Sequence, residues 1–232
     1  MKKPKIQKMT EPVSLSQKIY LLGIHPKKGG IVASAQSAMN YVLIGSVLLE
    51  LSLENKIEFE NNRIKVKSDK SENPLHQFVL NKFSNTKKQL KISTWISKLT
   101  FSVKHIKKEI QKSLVKKRII RMTQKRFLIF SWHSPEVVNF QFLYKLVANI
   151  ETQILKGTEN PVDLVMLSFL KPSGLLKRLF PDRQKRRLAG KKINAVMNKN
   201  QLSVAVNNAI AASNAVIASV SVINASTSGV SR

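Results

Sequence analysis

Apolar residues recur along most of this chain at helical spacing, broken twice by short stretches that do not keep it. Ser14-Leu15-Ser16-Gln17 has the form of a capping box, and Ile19, Leu21, Leu22 and Ile24 follow it. This predicts a first helix that ends in the loop His25-Pro26-Lys27-Lys28-Gly29-Gly30. From 34 to 53 the chain is apolar almost all round, with Tyr41, Val42, Leu43, Ile44, Val47, Leu48, Leu49 and Leu51, so the helix predicted there belongs in the middle of a domain. Glu50 is the one acid inside it, and a hydrogen-bonded structural carboxylate explains it better than a catalytic one.

Ile57-Glu58-Phe59-Glu60 and Arg63-Ile64-Lys65-Val66-Lys67 alternate with period two on either side of Asn61-Asn62, which predicts a β-hairpin. Pro74 opens another helix carrying Leu75, Phe78, Val79, Leu80 and Phe83, and a short helix follows at 92–99. Val103, Ile106, Ile110 and Leu114 then fall three or four residues apart and form one buried stripe. A second hairpin is read from 119–122 and 127–132, with its turn over 123–126. Further helices are expected at 136–155, 161–170 and 180–198, the last two separated by Lys171-Pro172-Ser173-Gly174. Residues 201–231 carry no charge, but Asn and Ser interrupt them too often for a bilayer span, so a buried small-residue helix closing the bundle is expected. The fold class is mainly α: a single helical-bundle domain with two small β-hairpins over 14–225, after a basic flexible arm at 1–13 and before a tail at 226–232.

The charge changes the picture. The chain has 40 Lys and Arg against 13 Asp and Glu, a formal charge of +27, yet its 43% hydrophobic content is enough for a core and excludes a basic disordered tail. A polyanionic partner is implied, either nucleic acid or an anionic membrane surface. The absence of cysteine excludes a disulfide framework, thiolate zinc, iron–sulfur ligation and a thiol nucleophile. The basic N-terminus lacks the apolar stretch of a secretory signal, so a cytoplasmic protein is expected.

Residues 101–130 hold ten Lys and Arg against Glu109, and 171–192 hold nine against Asp182. Lys104, Lys107, Lys108 and Lys112 share the helix face opposite the apolar stripe, a spacing that converges cations on a phosphate as readily as it makes a solvated face. Lys104, Lys107, Lys108 and Arg118 are the candidate headgroup contacts. Phe127, Leu128, Ile129 and Phe130, with Trp132 beyond, follow directly on Lys125 and Arg126. One side of a two-stranded ribbon cannot bury all of them, and an apolar tip ringed by cations suits insertion into an anionic membrane. Lys125, Arg126, Lys177, Arg178, Arg183, Arg186 and Arg187 are the supporting basic cluster. A helix followed by a basic hairpin also fits a winged-helix nucleic-acid binder, although Phe-Leu-Ile-Phe is a poor phosphate contact.

The order of these blocks resembles the Golgi phosphoprotein 3 family, which has Golgi and bacterial members, and the chain reads as a bacterial-type member. Ser14 to Ile24 resembles its opening helix. Leu48-Leu49-Glu50-Leu51-Ser52-Leu53 with Lys56-Ile57-Glu58-Phe59-Glu60 resembles its acidic-hydrophobic helix running into a hairpin. Leu114-Val115-Lys116-Lys117-Arg118-Ile119-Ile120 and Phe127-Leu128-Ile129-Phe130 resemble its Leu-Val-Glu-Lys-Gly and Phe-Leu-Leu-Phe segments. The resemblance implies a mostly helical protein peripheral on the cytoplasmic face of a membrane. It also implies binding of phosphatidylinositol 4-phosphate and an adaptor role toward a protein cargo; a homo-oligomer is a further candidate partner. It aligns Lys104 and Lys107 with two basic residues of the family's lipid pocket, and 123–134 with its membrane-inserting hairpin. The pocket's Trp and Arg align with Ala35 and Ile44, so general anionic-lipid binding is expected in place of that specificity.

No catalytic machinery is visible. His25, His76, His105 and His133 show no metal-type pairing, Lys27-Lys28-Gly29-Gly30 lacks the rest of a phosphate loop, and there is no Gly-x-Ser-x-Gly elbow. No enzyme activity, metal or cofactor is expected.

Overall fold

A computed structural model describes residues 12–86, 88–158, 160–197 and 204. Its elements in chain order are α1 (Leu15–Gly23), a 3-10 turn (Ala33–Ala35), α2 (Met39–Leu53), β1 (Ile57–Glu60), β2 (Arg63–Val66), α3 (Pro74–Ser84), α4 (Ile92–Thr100), α5 (Val103–Lys116), β3 (Ile120–Phe127), β4 (Phe130–Val137), α6 (Phe140–Lys156), α7 (Pro161–Leu170), α8 (Leu176–Leu179) and α9 (Arg183–Met197). The strands form two separate antiparallel hairpins, so the mainly helical class holds.

α1 opens where its cap sequence requires, the Ser14 backbone N–H donating to Gln17 Oε1 at 3.3 Å. α1 and α2 pack on each other and α5 packs on both; α4 lies against α2, α6 against α1, and α9 against α6 and α7. α2 is the buried centre, with Val42, Leu43, Ile44, Leu48 and Leu51 wholly inaccessible. It starts five residues later than its apolar run, because 31–35 are drawn onto the end of α1: Val32 N–H bonds Gly23 O at 2.8 Å, and Ile24 bridges Ile31. A tertiary interaction here overrides local helix propensity.

Glu50 is fully engaged. It accepts the Ser16 backbone N–H at 2.6 Å and the Ser16 hydroxyl at 3.2 Å, and its Oε2 lies 2.9 Å from His76 Nε2. The other imidazole nitrogen lies 3.0 Å from Glu54 Oε2. One polar knot thus joins the start of α1, the end of α2 and the first turn of α3, which Asn73 caps.

The first hairpin turns at Asn61 and Asn62, both at positive φ, as a two-residue turn of this hand needs. The second differs from its sequence reading. Its turn lies at Leu128-Ile129 instead of 123–126, because β3 and β4 pair without a break from Ile120↔Val137 to Phe127↔Phe130. Residues 136 and 137, expected to begin a helix, end β4, and α6 begins at Phe140 behind its Asn139 cap. The helix expected at 180–198 is α9, which begins at Arg183, and the short α8 before it was not expected. Apart from Val204, which is helical, the uncharged 201–231 segment lies outside the described residues, as do the first eleven.

Candidate functional site

Side-chain hydrogen bonds fix how α1 and α5 lie. Gln17 Nε2 donates to Ser113 Oγ at 2.9 Å, Lys117 Nζ donates to Gln17 Oε1 at 2.9 Å, and Gln111 Nε2 donates to the Tyr20 hydroxyl at 2.5 Å. Partners ascend α1 as they descend α5, so the helices are antiparallel. Lys107, one turn before Gln111, therefore sits about 6 Å further toward the C-terminal end of α1.

Three other segments converge on that end. Gly30 N–H bonds Pro135 O at 2.9 Å, and Lys125 Nζ donates to Lys28 O, which ties the 25–30 loop to the second hairpin. Gly29 is required there: its φ is +68° and a Cβ would come within 2.8 Å of Pro135 O. Arg178 Nη1 donates to Leu22 O and Ile24 O. Ser34 Oγ donates to Gly174 O at 3.1 Å. The first half of α5, the Lys27-Lys28 loop, the β3–β4 ribbon and the 171–178 segment thus share one end of the molecule.

On α5, Lys104 and Lys108 are exposed and Lys107 is half-buried, and none of the three is ion-paired among the described residues. Lys112, by contrast, meets Glu109 at 2.7 Å. Burial pushes the Lys107 ammonium below its ordinary value. The first turn of α5 has no acid and carries Lys104, which faces the positive end of the helix dipole, a placement costing about 0.3–1 kcal/mol. Burial of Ile106, Ile110 and Leu114, about 1.5–3 kcal/mol apiece, outweighs it. A cation-rich helix start unsatisfied from within is suited to an external anion. Arg118 is not part of that group: it follows α5 at φ +55°, about 20 Å along the axis from Lys104.

In the ribbon, residues paired across the strands point the same way, so Lys125, Phe127, Phe130 and Trp132 share one face. Phe127 (65%), Leu128 (77%), Ile129 (90%) and Phe130 (66%) are all largely exposed, and Trp132 is about half exposed. Leu128 holds φ +53°, an uncommon conformation for a branched apolar residue. The base of the ribbon is anchored by Glu136, which accepts from Thr123 Oγ1 at 3.0 Å and Arg121 Nη2 at 3.1 Å; these bonds hold its carboxyl below the usual range. Arg126 is exposed on the opposite face.

In the second cluster Lys177, Arg183 and Arg187 are exposed. Arg178, assigned to the surface from sequence, turns inward onto the α1 carbonyls, and its half-burial lowers its pKa. Arg186 donates to Phe180 O at 2.8 Å and Pro181 O at 2.9 Å. Ala35 and Ile44 are wholly buried, so neither faces a ligand.

Sequence reasoning missed Phe101, at the α4–α5 corner beside Lys104 and 92% exposed. The available signal was an aromatic residue between Thr100 and Ser102, outside the apolar stripes of both helices. It also missed the His76 contacts, since nothing in sequence brings 76 to 50. His105 lies against Phe78, ring centroids 4.1 Å apart.

No helix among the described residues is long and apolar enough to cross a membrane. The family model for Golgi phosphoprotein 3 matches residues 15–213. A VPS74-like protein of Dictyostelium discoideum is 30% identical over 170 residues, 65% of this chain and 62% of that protein. The chain thus spans less than two thirds of the length of the curated relative it matches.

Proposed function

Because the chain belongs to the Golgi phosphoprotein 3 family, which is non-enzymatic, we propose that it is a peripheral membrane protein that docks on anionic lipid. The observation that carries the reading is the ribbon tip: four consecutive large apolar residues mostly in solvent, at the end of the molecule that also holds unpaired lysines. Docking is electrostatic at first, through Lys104, Lys107 and Lys108 with Lys27 and Lys28. Each cation near an anionic surface contributes about 1 kcal/mol. Insertion follows, with Leu128 and Ile129 deepest, Phe127 and Phe130 behind them, and Trp132 at headgroup level. Phe101 is a second apolar contact.

The reading covers the 14–225 domain of a bacterial-type member on the cytoplasmic face of a membrane, and extends to an adaptor that presents a protein cargo and can self-associate. It assigns anionic lipid in general. With Ala35 and Ile44 where the family's Trp and Arg align, selectivity for phosphatidylinositol 4-phosphate has no equivalent residues to rest on. The test is co-sedimentation with phosphatidylserine-containing and with neutral phosphatidylcholine vesicles, beside a duplex DNA titration over a range of salt. Pelleting with the anionic vesicles alone is expected. Tight DNA binding without pelleting would overturn the reading in favour of a nucleic-acid protein.

A further inference from the structure

The nine cations of 171–192 have a shape that surface charge alone does not account for. α9 carries Arg183, Arg186, Arg187 and Lys191 at spacings of three, four and eight from the first, so they line one side of the helix. Across from them stands Lys177 on α8; a depression of about 460 Å³ between the two elements is lined by Lys177, Arg186, Arg187 and Lys191, and a second of the same size runs along α9 at Arg183, Arg186 and Arg187. Among the described residues no acid lines either. The nearest in sequence, Asp182, is used at the start of α9, where its Oδ1 accepts the Lys185 backbone N–H at 2.8 Å. Among the described residues none of these five cations is ion-paired.

Two details make the groove a prepared site. The Arg186 guanidinium is held in place by the Phe180 and Pro181 carbonyls, so its remaining N–H groups are oriented before any ligand arrives. Gly190 sits in mid-helix on the groove wall, where Gly is less favourable than Ala. Packing does not require it, since a Cβ there would meet nothing within 4 Å. A missing side chain on a wall of cations leaves room for a close approach to the helix backbone.

We infer that this groove binds a small polyanion carrying at least two phosphate groups, at a site separate from the α5 face. A single phosphate accepts one bidentate Arg and a neighbouring Lys, whereas Lys177, Arg186, Arg187 and Lys191 around one depression, with Arg183 beside it, are matched by several phosphates on one rigid framework. That chemistry is presented either by a soluble inositol polyphosphate or by a multiply phosphorylated lipid headgroup. The groove serves either source whether or not the ribbon inserts.

The test uses the full chain at physiological salt, with inositol hexakisphosphate and inorganic phosphate as calorimetric titrants. The hexakisphosphate is expected to bind at least about a hundredfold more tightly than phosphate. The double variant R187Q/K191Q alters two exposed residues with no partner among the described residues, and thermal melting checks its fold. It should lose at least about tenfold in hexakisphosphate affinity, the scale of lost charge-assisted hydrogen bonds. K104Q/K107Q should keep that affinity within about twofold. A vesicle arm compares bisphosphorylated phosphoinositide with charge-matched phosphatidylserine. Loss of the phosphoinositide preference in R187Q/K191Q assigns the groove to a headgroup. An unchanged preference with lost hexakisphosphate binding assigns it to a soluble ligand, and both support the site. Equal losses in the two double variants, hexakisphosphate no tighter than phosphate, or a groove that discriminates only duplex DNA would each overturn it.

Discussion

His76 Nε2 and Glu50 Oε2 stand 2.9 Å apart with both side chains almost wholly buried. Burial by itself pulls the imidazole pKa down, but the hydrogen bond and charge of Glu50, with those of Glu54, outweigh it and the net shift is upward. A group whose pKa is raised on folding stabilises the fold fully below its unfolded value, about 6.5 for His, and loses that contribution as pH rises through the folded value. Thermal melting should therefore show stability falling on the alkaline side of neutrality. His76→Leu should cost about 3 kcal/mol at pH 6, because it strips a partner from a buried carboxylate, and visibly less at pH 9. A cost independent of pH would mean that the imidazole is neutral throughout.

The strained tip allows insertion to be separated from folding. Leu128 occupies a left-handed conformation that glycine adopts without penalty, so Leu128→Gly should leave stability unchanged or raise it by up to about 1 kcal/mol. The same change removes an apolar side chain whose burial in acyl chains contributes about 2 kcal/mol, so vesicle affinity should fall at least tenfold. Chemical denaturation and co-sedimentation on one preparation check both signs. Ile129→Asp should act on the vesicles alone.

Much of this was legible in the sequence because it depends on period and on turn chemistry. The α5 stripe, the Asn61-Asn62 turn and the Pro74 helix start are each written within a dozen residues. What was not legible depends on long-range partners. The second turn was set four residues early because Thr123-Gln124-Lys125-Arg126 looks like a loop, whereas pairing with 131–134 carries the strand on to Phe127. Arg178 read as surface because nothing local shows that two carbonyls at the end of α1 lack partners that it supplies. Phe101 lay between two good helical patterns and belonged to neither.

Gly174 and Gly157 distinguish close approach from backbone strain. Both have positive φ, +74° and +92°. A Cβ on Gly174 would overlap the Ser34 carbonyl oxygen, a backbone atom that cannot rotate away, while at Gly157 it would meet nothing. Gly157→Ala should cost about 1–3 kcal/mol, the conformational term alone, because with ψ at 162° Gly157 lies in a region that is essentially Gly-only. Gly174→Ala adds a backbone clash to its conformational cost, so it should cost at least about 4 kcal/mol and loosen the contact between the 171–174 loop and the 3-10 turn. Urea denaturation measures both costs, and equal values would show that the Ser34 contact is not held in solution.

Lys107 offers the clearest division between what the fold needs and what a ligand needs. It is half-buried on α5 with no acid beside it, and burial lowers its pKa, so its charge opposes folding at neutral pH. By the linkage sign, that opposition is present while the group is charged in both states and is relieved as pH rises through the lowered folded value. Lys107→Met keeps the aliphatic stem and removes the charge, so it should stabilise the protein at pH 7, whereas Lys104→Met, on an exposed residue, should leave stability unchanged. If both lysines face an anionic surface, each variant should lose about 1 kcal/mol of vesicle affinity, roughly fivefold. Raising salt from about 0.1 M to 1 M shortens the screening length from about 10 Å to about 3 Å and should erase that difference without touching the stability gain. A Lys107→Met protein that is more stable and binds vesicles as well as the parent would remove this lysine from the docking surface and leave its charge without a function.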